Sequence, residues 1–127
     1  PEKTMFYSIL KNLAEDNGGV LPVTHETPIE NLESIKERGI KQQPDSHGIY
    51  FTVGWYESPV WVRGKGAMIQ VGIPVHFLNP DKVIPDDRYG SDCYYDFMEE
   101  NPDVIGGEIG TNFSLIPKKW IKNIIEF

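Results

Sequence analysis

The sequence predicts an α+β domain. Three observations lead there. At 127 residues, with 39% apolar residues and six Phe, six Tyr and three Trp, the chain can build one real core. Helical periodicity is confined to a few stretches, and β-branched and aromatic strand patterns dominate the second half. The elements do not alternate strictly between strand and helix, so the order argues against a doubly wound parallel sheet. With no internal repeat, low-complexity tract or linker, residues 1–127 read as a single domain, the first 19 forming a helix that packs on it.

In chain order, residues 3–16 place Met5, Phe6, Ile9, Leu10 and Leu13 on one helical face, and Gly18-Gly19 stop the helix. Val20 to His25 reads as a short strand. Thr27-Pro28 with Glu30 reads as a capping box opening a helix. In that helix Ile29, Leu32 and Ile35 form the apolar side, and Gly39 with Ile40 ends it after Arg38. His25 would then lie two residues before a helix N-terminus, a position that attracts polar ligands. Residues 41–47 are a polar loop, and Gly48 to Val53 a strand. Ser58-Pro59 reads as the cap and first residue of a short helix ending at Gly64. Ala67 to Pro74 is an alternating strand, residues 75–90 are mostly loop, and Ser91 to Asn101 is a helix. Gly106 to Phe113 reads as a glycine-rich strand, Ile116 to Trp120 as a turn, and Ile121 to Phe127 as the closing strand.

The net charge of -7 argues against binding nucleic acid through bulk phosphate attraction. No apolar run is long enough for a membrane helix. The single Cys93 cannot form an internal disulfide, which fits a reducing, cytoplasmic setting. The chain begins at Pro1, which leaves a removed leader or an upstream domain open. The three histidines lack metal-ligand spacing and no cysteine cluster joins them, so no metal is expected. Walker, Rossmann and nucleophile-elbow patterns are absent.

One ordered set of residues carries more. His25-x-Thr27 is followed by Asn31-Leu32-x-x-Ile35-x-x-x-Gly39 and then by Gly48-Ile-Tyr50-Phe51. This resembles the opening of the ADP-ribosyltransferase catalytic domain, in the His-Tyr-Glu class typified by poly(ADP-ribose) polymerases. In that class a serine lies eight residues after the tyrosine and a stacking tyrosine eleven after it; Ser58 and Trp61 stand at those offsets from Tyr50. The family's catalytic glutamate lies about twenty residues before the end of the last strand, where this chain has Glu108. Ile116-Pro-x-x-Trp120-Ile resembles the last turn and strand of many bacterial members. Two positions depart from the pattern. The family's glycine after the histidine is Glu26 here, and the stacking tyrosine is Trp61.

The resemblance implies a split, mostly antiparallel sheet, and NAD as co-substrate, cleaved between nicotinamide and ribose through an oxocarbenium-like state. His25, Tyr50 and Glu108 form the implied catalytic set. Glu108 would stabilise the developing positive charge, and its competing reading is a solvent-facing strand glutamate. His25 would hold the adenosine ribose hydroxyls with Thr27 beside it, or else be satisfied locally at a helix cap. Tyr50 and Trp61 would sandwich the nicotinamide ring, or else pack in the core. Ser58 and the backbone of Glu26 would hold the carboxamide, while Ser58 also suits a plain helix cap. The implied function is transfer of ADP-ribose from NAD to an acceptor, expected to be a protein, with release of nicotinamide.

The alternative from another class is a non-catalytic NAD- or ADP-ribose-binding or protein-interaction module of the same fold. Asn31-Leu32 also resembles toxins that modify DNA thymine, which the acidic balance disfavours. An RNA 2'-phosphotransferase ranks last, because Arg38, Arg63 and Arg88 stand in scattered contexts.

Overall fold

The computed structural model describes residues 2–46, 48–85 and 105–127. Its element order is α1 (Glu2–Asp16), β1 (Val20–Pro28), α2 (Leu32–Arg38), β2 (Ile40–Lys41), β3 (Ile49–Val53), β4 (Gly66–Pro74), β5 (Val83–Pro85), β6 (Glu108–Thr111), β7 (Leu115–Ile116) and β8 (Ile121–Glu126). Six strands form a sheet in the order β5-β6-β3-β1-β4-β8, and β2 pairs with β7 in a second, two-stranded sheet. Every one of these pairings is antiparallel. The architecture is α+β, as the element order predicts, and its sheet is mostly antiparallel with few helices. The predicted helix at Ser91–Asn101 lies outside the described residues.

The core lies on one face of the large sheet. In α1, Phe6, Leu10 and Ala14 recur every four residues and are buried, with Ile9 and Leu13 partly buried beside them. They pack with Leu21 and Val23 of β1, Phe51 and Val53 of β3, and Ile69, Val71 and Ile73 of β4. Leu32 and Ile35 of α2 join Ile40, Ile116 and Trp120 in the same cluster. β4 is buried along almost its whole length, Pro74 alone being half-buried, because the second face is covered too. That cover is the segment between β3 and β4. Its tryptophan Trp55 donates from Nε1 to the Val71 carbonyl at 2.9 Å.

Three predicted elements come out differently. β1 does not stop at His25; it pairs with β4 from Val20–Pro74 through Pro28–Gly66. The next amide, Ile29, still donates to Lys65 O at 3.1 Å. The Thr27-Pro28-Glu30 capping box therefore does not form, because an unbroken ladder satisfies this backbone before a helix can start. A 3-10 turn at Ile29–Asn31 follows, and α2 begins only at Leu32, with no side-chain cap at Pro28 or Asn31. The second correction is Ser58-Pro59, where residues 58–64 form no helix. The third is the glycine-rich strand, which is shorter than predicted and spans Glu108–Thr111.

The predicted stop of α2 is present. Gly39 has φ 89° and donates to Ile35 O at 2.8 Å, and Ile40 is buried just after it. An added Cβ at Gly39 would run into the Ile116 carbonyl, so this glycine also lets β2 approach β7.

Candidate functional site

The site forms where the large sheet opens. β1 pairs with β3 only at Val23–Val53 and Thr24–Thr52. Backbone groups alternate along a strand, so even-numbered residues of β1 turn their N–H and C=O toward β3. The Pro22 carbonyl, which accepts from Gly54 N–H at 2.8 Å, marks that side. Continued one step, this ladder would join Glu26 to Tyr50. Instead the His25 ring reaches across, its Nδ1 lying 2.9 Å from the Tyr50 carbonyl. The Glu26 N–H and C=O are thereby directed into the gap between the strands.

A cavity of about 660 Å³ follows this gap from one face of the sheet to the other. On the α2 side it is bounded by Thr27, Asn31, Ser34, Gly39 and Gly48; on the other side by Tyr50, Tyr56, Ser58, Trp61 and Glu108. His25, Glu26, Thr27, Tyr50, Ser58, Trp61 and Glu108 all line it, although they lie far apart in the chain. A volume of this size is typical of small-molecule and cofactor sites.

Each of these residues is placed by a different piece of the fold. His25 is mid-strand, not beside a helix N-terminus as predicted, because β1 runs on to Pro28. Its ring meets Phe51 edge-on at 5.7 Å between centroids. Burial holds the imidazole below its ordinary pKa of 6.5, outweighing the bond to Tyr50 and the nearby Glu26 carboxylate, which act in the opposite sense. The ring is therefore neutral at neutral pH. Because a carbonyl can only accept, Nδ1 carries the hydrogen and Nε2 is an acceptor. Thr27 is buried and its hydroxyl receives Asn31 Nδ2 at 3.3 Å.

Tyr50 and Glu108 come from neighbouring strands, through the Tyr50–Gly110 and Thr52–Glu108 register of β3 with β6. The turn that delivers Glu108 is fixed by two bonds, Gly106 N to Val53 O at 2.9 Å and Val53 N to Gly107 O at 2.8 Å. Glu108 is half-buried at the start of β6.

Ser58 and Trp61 lie in the segment between β3 and β4, which is tied to the sheet by side chains. Thr24 Oγ1 donates to Gly54 O at 2.7 Å and accepts from Tyr56 N at 3.0 Å; Gln70 Nε2 donates to Tyr56 O at 3.2 Å. The Glu26 carboxylate accepts from three successive amides, at 3.0 Å from Val60, 2.9 Å from Trp61 and 3.1 Å from Val62. Glu26 thus gathers the amides that a helix start would expose, and residues 58–64 close no helical turn behind them. Trp61 is 55% exposed, so it is a wall of the cavity mouth and not part of the core.

Among the described residues that line the cavity, Glu26 and Glu108 supply the carboxylates and Lys41 the basic side chain. Tyr56 is a lining residue that sequence reasoning missed. Burial pushes its hydroxyl up from the ordinary tyrosine value, so it stays a proton donor at neutral pH. Nothing in the pattern Gly54-Trp-Tyr56 marks it, because its place depends on the side chains of Thr24 and Gln70.

No protein-family model, curated protein or solved structure matches this chain. Among the described residues no group of three His, Cys, Asp or Glu is placed to hold a metal ion, and no helix is long and apolar enough to cross a membrane.

Proposed function

We propose that the chain is an ADP-ribosyltransferase, which transfers ADP-ribose from NAD to an acceptor and releases nicotinamide. The observation that carries this reading is the interrupted β1–β3 pairing. It opens a cleft lined by His25, Tyr50 and Glu108 together with the backbone of Glu26. A primary amide needs one donor and one acceptor side by side, which the N–H and C=O of a single strand residue supply. Glu26 meets that requirement as an ordinary strand residue, so the backbone role does not need the family's glycine. Tyr50 and Trp61 present aromatic surface to the same cavity for a nicotinamide ring. The neutral His25, with Nε2 as acceptor, suits a ribose hydroxyl that donates.

In the reaction, the bond between the anomeric carbon of the nicotinamide ribose and the ring nitrogen breaks. Its electron pair leaves with nicotinamide, and the ribose gains oxocarbenium character. Glu108 stabilises that charge. Glu108 takes this role because it lines the cavity with Tyr50 and Trp61, where the nicotinamide ribose would lie. An acceptor nucleophile then adds to the anomeric carbon and gives up its proton. We take the acceptor to be a protein, in keeping with the acidic charge of -7 and its poor fit to nucleic acid.

The test is NAD consumption by the purified chain, with released nicotinamide identified by proton NMR, beside Glu108→Gln. Release that needs Glu108 supports the transferase. NAD binding without release, even with candidate acceptors present, turns the assignment to a non-catalytic NAD- or ADP-ribose-binding module. Neither binding nor release refutes both.

A further inference from the structure

We infer that Glu26 is a positioning residue whose carboxylate sets the width of the nicotinamide slot by holding the Trp61 segment against β1. The inference rests on the transferase reading for its ligand, but its structural half stands on hydrogen bonds alone. Three consecutive amides converge on one carboxylate, and Oε1 alone accepts from all three. Consecutive N–H groups that converge in this way form a small anion-binding concavity. Here the chain supplies its own anion, from a residue 34 to 36 positions earlier. Charge-assisted hydrogen bonds of this kind are shorter and stronger than neutral ones.

The middle amide is that of Trp61 itself, so the carboxylate fixes the backbone from which the indole extends. The same residue turns its own N–H and C=O into the gap. The side chain and the backbone N–H and C=O of Glu26 therefore define both walls of the slot, the strand edge and the aromatic lip. The loop carries exposed apolar residues, with Val60 75% and Trp61 55% exposed, so little apolar burial holds it in place. Thr24 and Gln70 tie the segment at Gly54 and Tyr56, and the Glu26 carboxylate is the tie at residues 60–62. An anchor of this kind organises the slot before a ligand arrives and acts on binding more than on bond cleavage.

The experiment compares wild type, Glu26→Gln and Glu26→Ala by amide hydrogen exchange and by NAD kinetics, with β4 amides as the control for global folding. In Glu26→Ala the amides of Val60, Trp61 and Val62 should exchange at least about tenfold faster, while β4 protection is retained. KM for NAD should rise by about tenfold, the scale of one lost charge-assisted bond, with kcat within about threefold. Glu26→Gln keeps one neutral acceptor oxygen and should fall between the two. Added formate, a free carboxylate, should restore part of the NAD affinity of Glu26→Ala.

Unchanged exchange at residues 60–62 would overturn the anchor. Faster exchange with an unaltered KM, or a loss confined to kcat, would overturn the link to the slot. Should wild type neither bind nor consume NAD, the transferase reading fails, and amide exchange alone still decides whether Glu26 holds the loop.

Discussion

Replacing His25 by alanine should destabilise the fold by about 2 kcal/mol, before any ligand is considered. The ring makes one bond across the opening, Nδ1 to Tyr50 O at 2.9 Å, and one edge-on contact with Phe51 at 5.7 Å. A net hydrogen bond contributes about 0.5–1.5 kcal/mol and an edge-on aromatic contact a similar amount. The cavity gives water some access to the site, so the lost partner of the Tyr50 carbonyl adds little, and the sum stays near ~2 kcal/mol. For a domain of this size that corresponds to a fall in Tm of roughly 6–10 °C, measured by circular dichroism at pH 7.5.

The pH dependence tests the burial of the same ring. The folded-state pKa of His25 lies below its ordinary 6.5. As pH falls through 6.5 the unfolded chain takes up a proton that the folded chain does not. The stability contributed by neutral His25 is therefore complete above 6.5 and is lost as pH falls toward the folded value. The difference between wild type and His25→Ala should shrink between pH 7.5 and pH 5.5, by at most about 1.4 kcal/mol per pH unit. A variant within about 0.5 kcal/mol of wild type would refute the bridging role, and a gap that widens on acidification would refute the burial that lowers the pKa.

The other predictions concern the cleft and its supports. Glu108→Gln should lower the rate of nicotinamide release by about 10²–10³-fold and leave NAD affinity within a fewfold, as measured by single-turnover NMR and titration calorimetry. Trp61 emission should respond to nicotinamide or NAD, and Trp61→Ala should abolish that response while buried Trp120 still emits. Gly39→Ala should cost about 3 kcal/mol or more in urea denaturation, because φ is 89° and the new Cβ meets the Ile116 carbonyl. Gly18→Ala, with φ 71° and open space around it, should cost only about 1 kcal/mol.

Much of the frame was legible because it depends on short-range rules. The spacing of Phe6, Leu10 and Ala14 defines α1, and a left-handed glycine at 39 ends α2. Runs such as Ile49–Val53 and Ile121–Glu126 are strands in the sequence and in the fold. The two failed helix starts both meet partners from distant parts of the chain. Thr27-Pro28 and Ser58-Pro59 both carry sound local signals for a helix start. At the first, pairing with Gly66 and Ala67 uses the backbone for a ladder instead. At the second, a carboxylate more than thirty residues away binds the first amides, and the chain runs on toward β4 without closing a helical turn. A capping preference of about 1 kcal/mol cannot outweigh several long-range hydrogen bonds, and these partners are not visible within a local window.

The sequence by itself determined which side chains are available and in what order: His25, Glu26, Tyr50, Ser58, Trp61 and Glu108, with strands beneath Tyr50 and Glu108. It also determined the α+β class, through where its apolar periodicities of three to four and of two occur. Only the tertiary structure decided that β1 and β3 separate after Thr24, that His25 bridges the opening, and that Glu26 binds the Trp61 segment. The physical reason is that each of these is a choice between two partners for the same backbone group. Such a choice is settled by long-range geometry and competing hydrogen bonds, not by the preferences of any single residue.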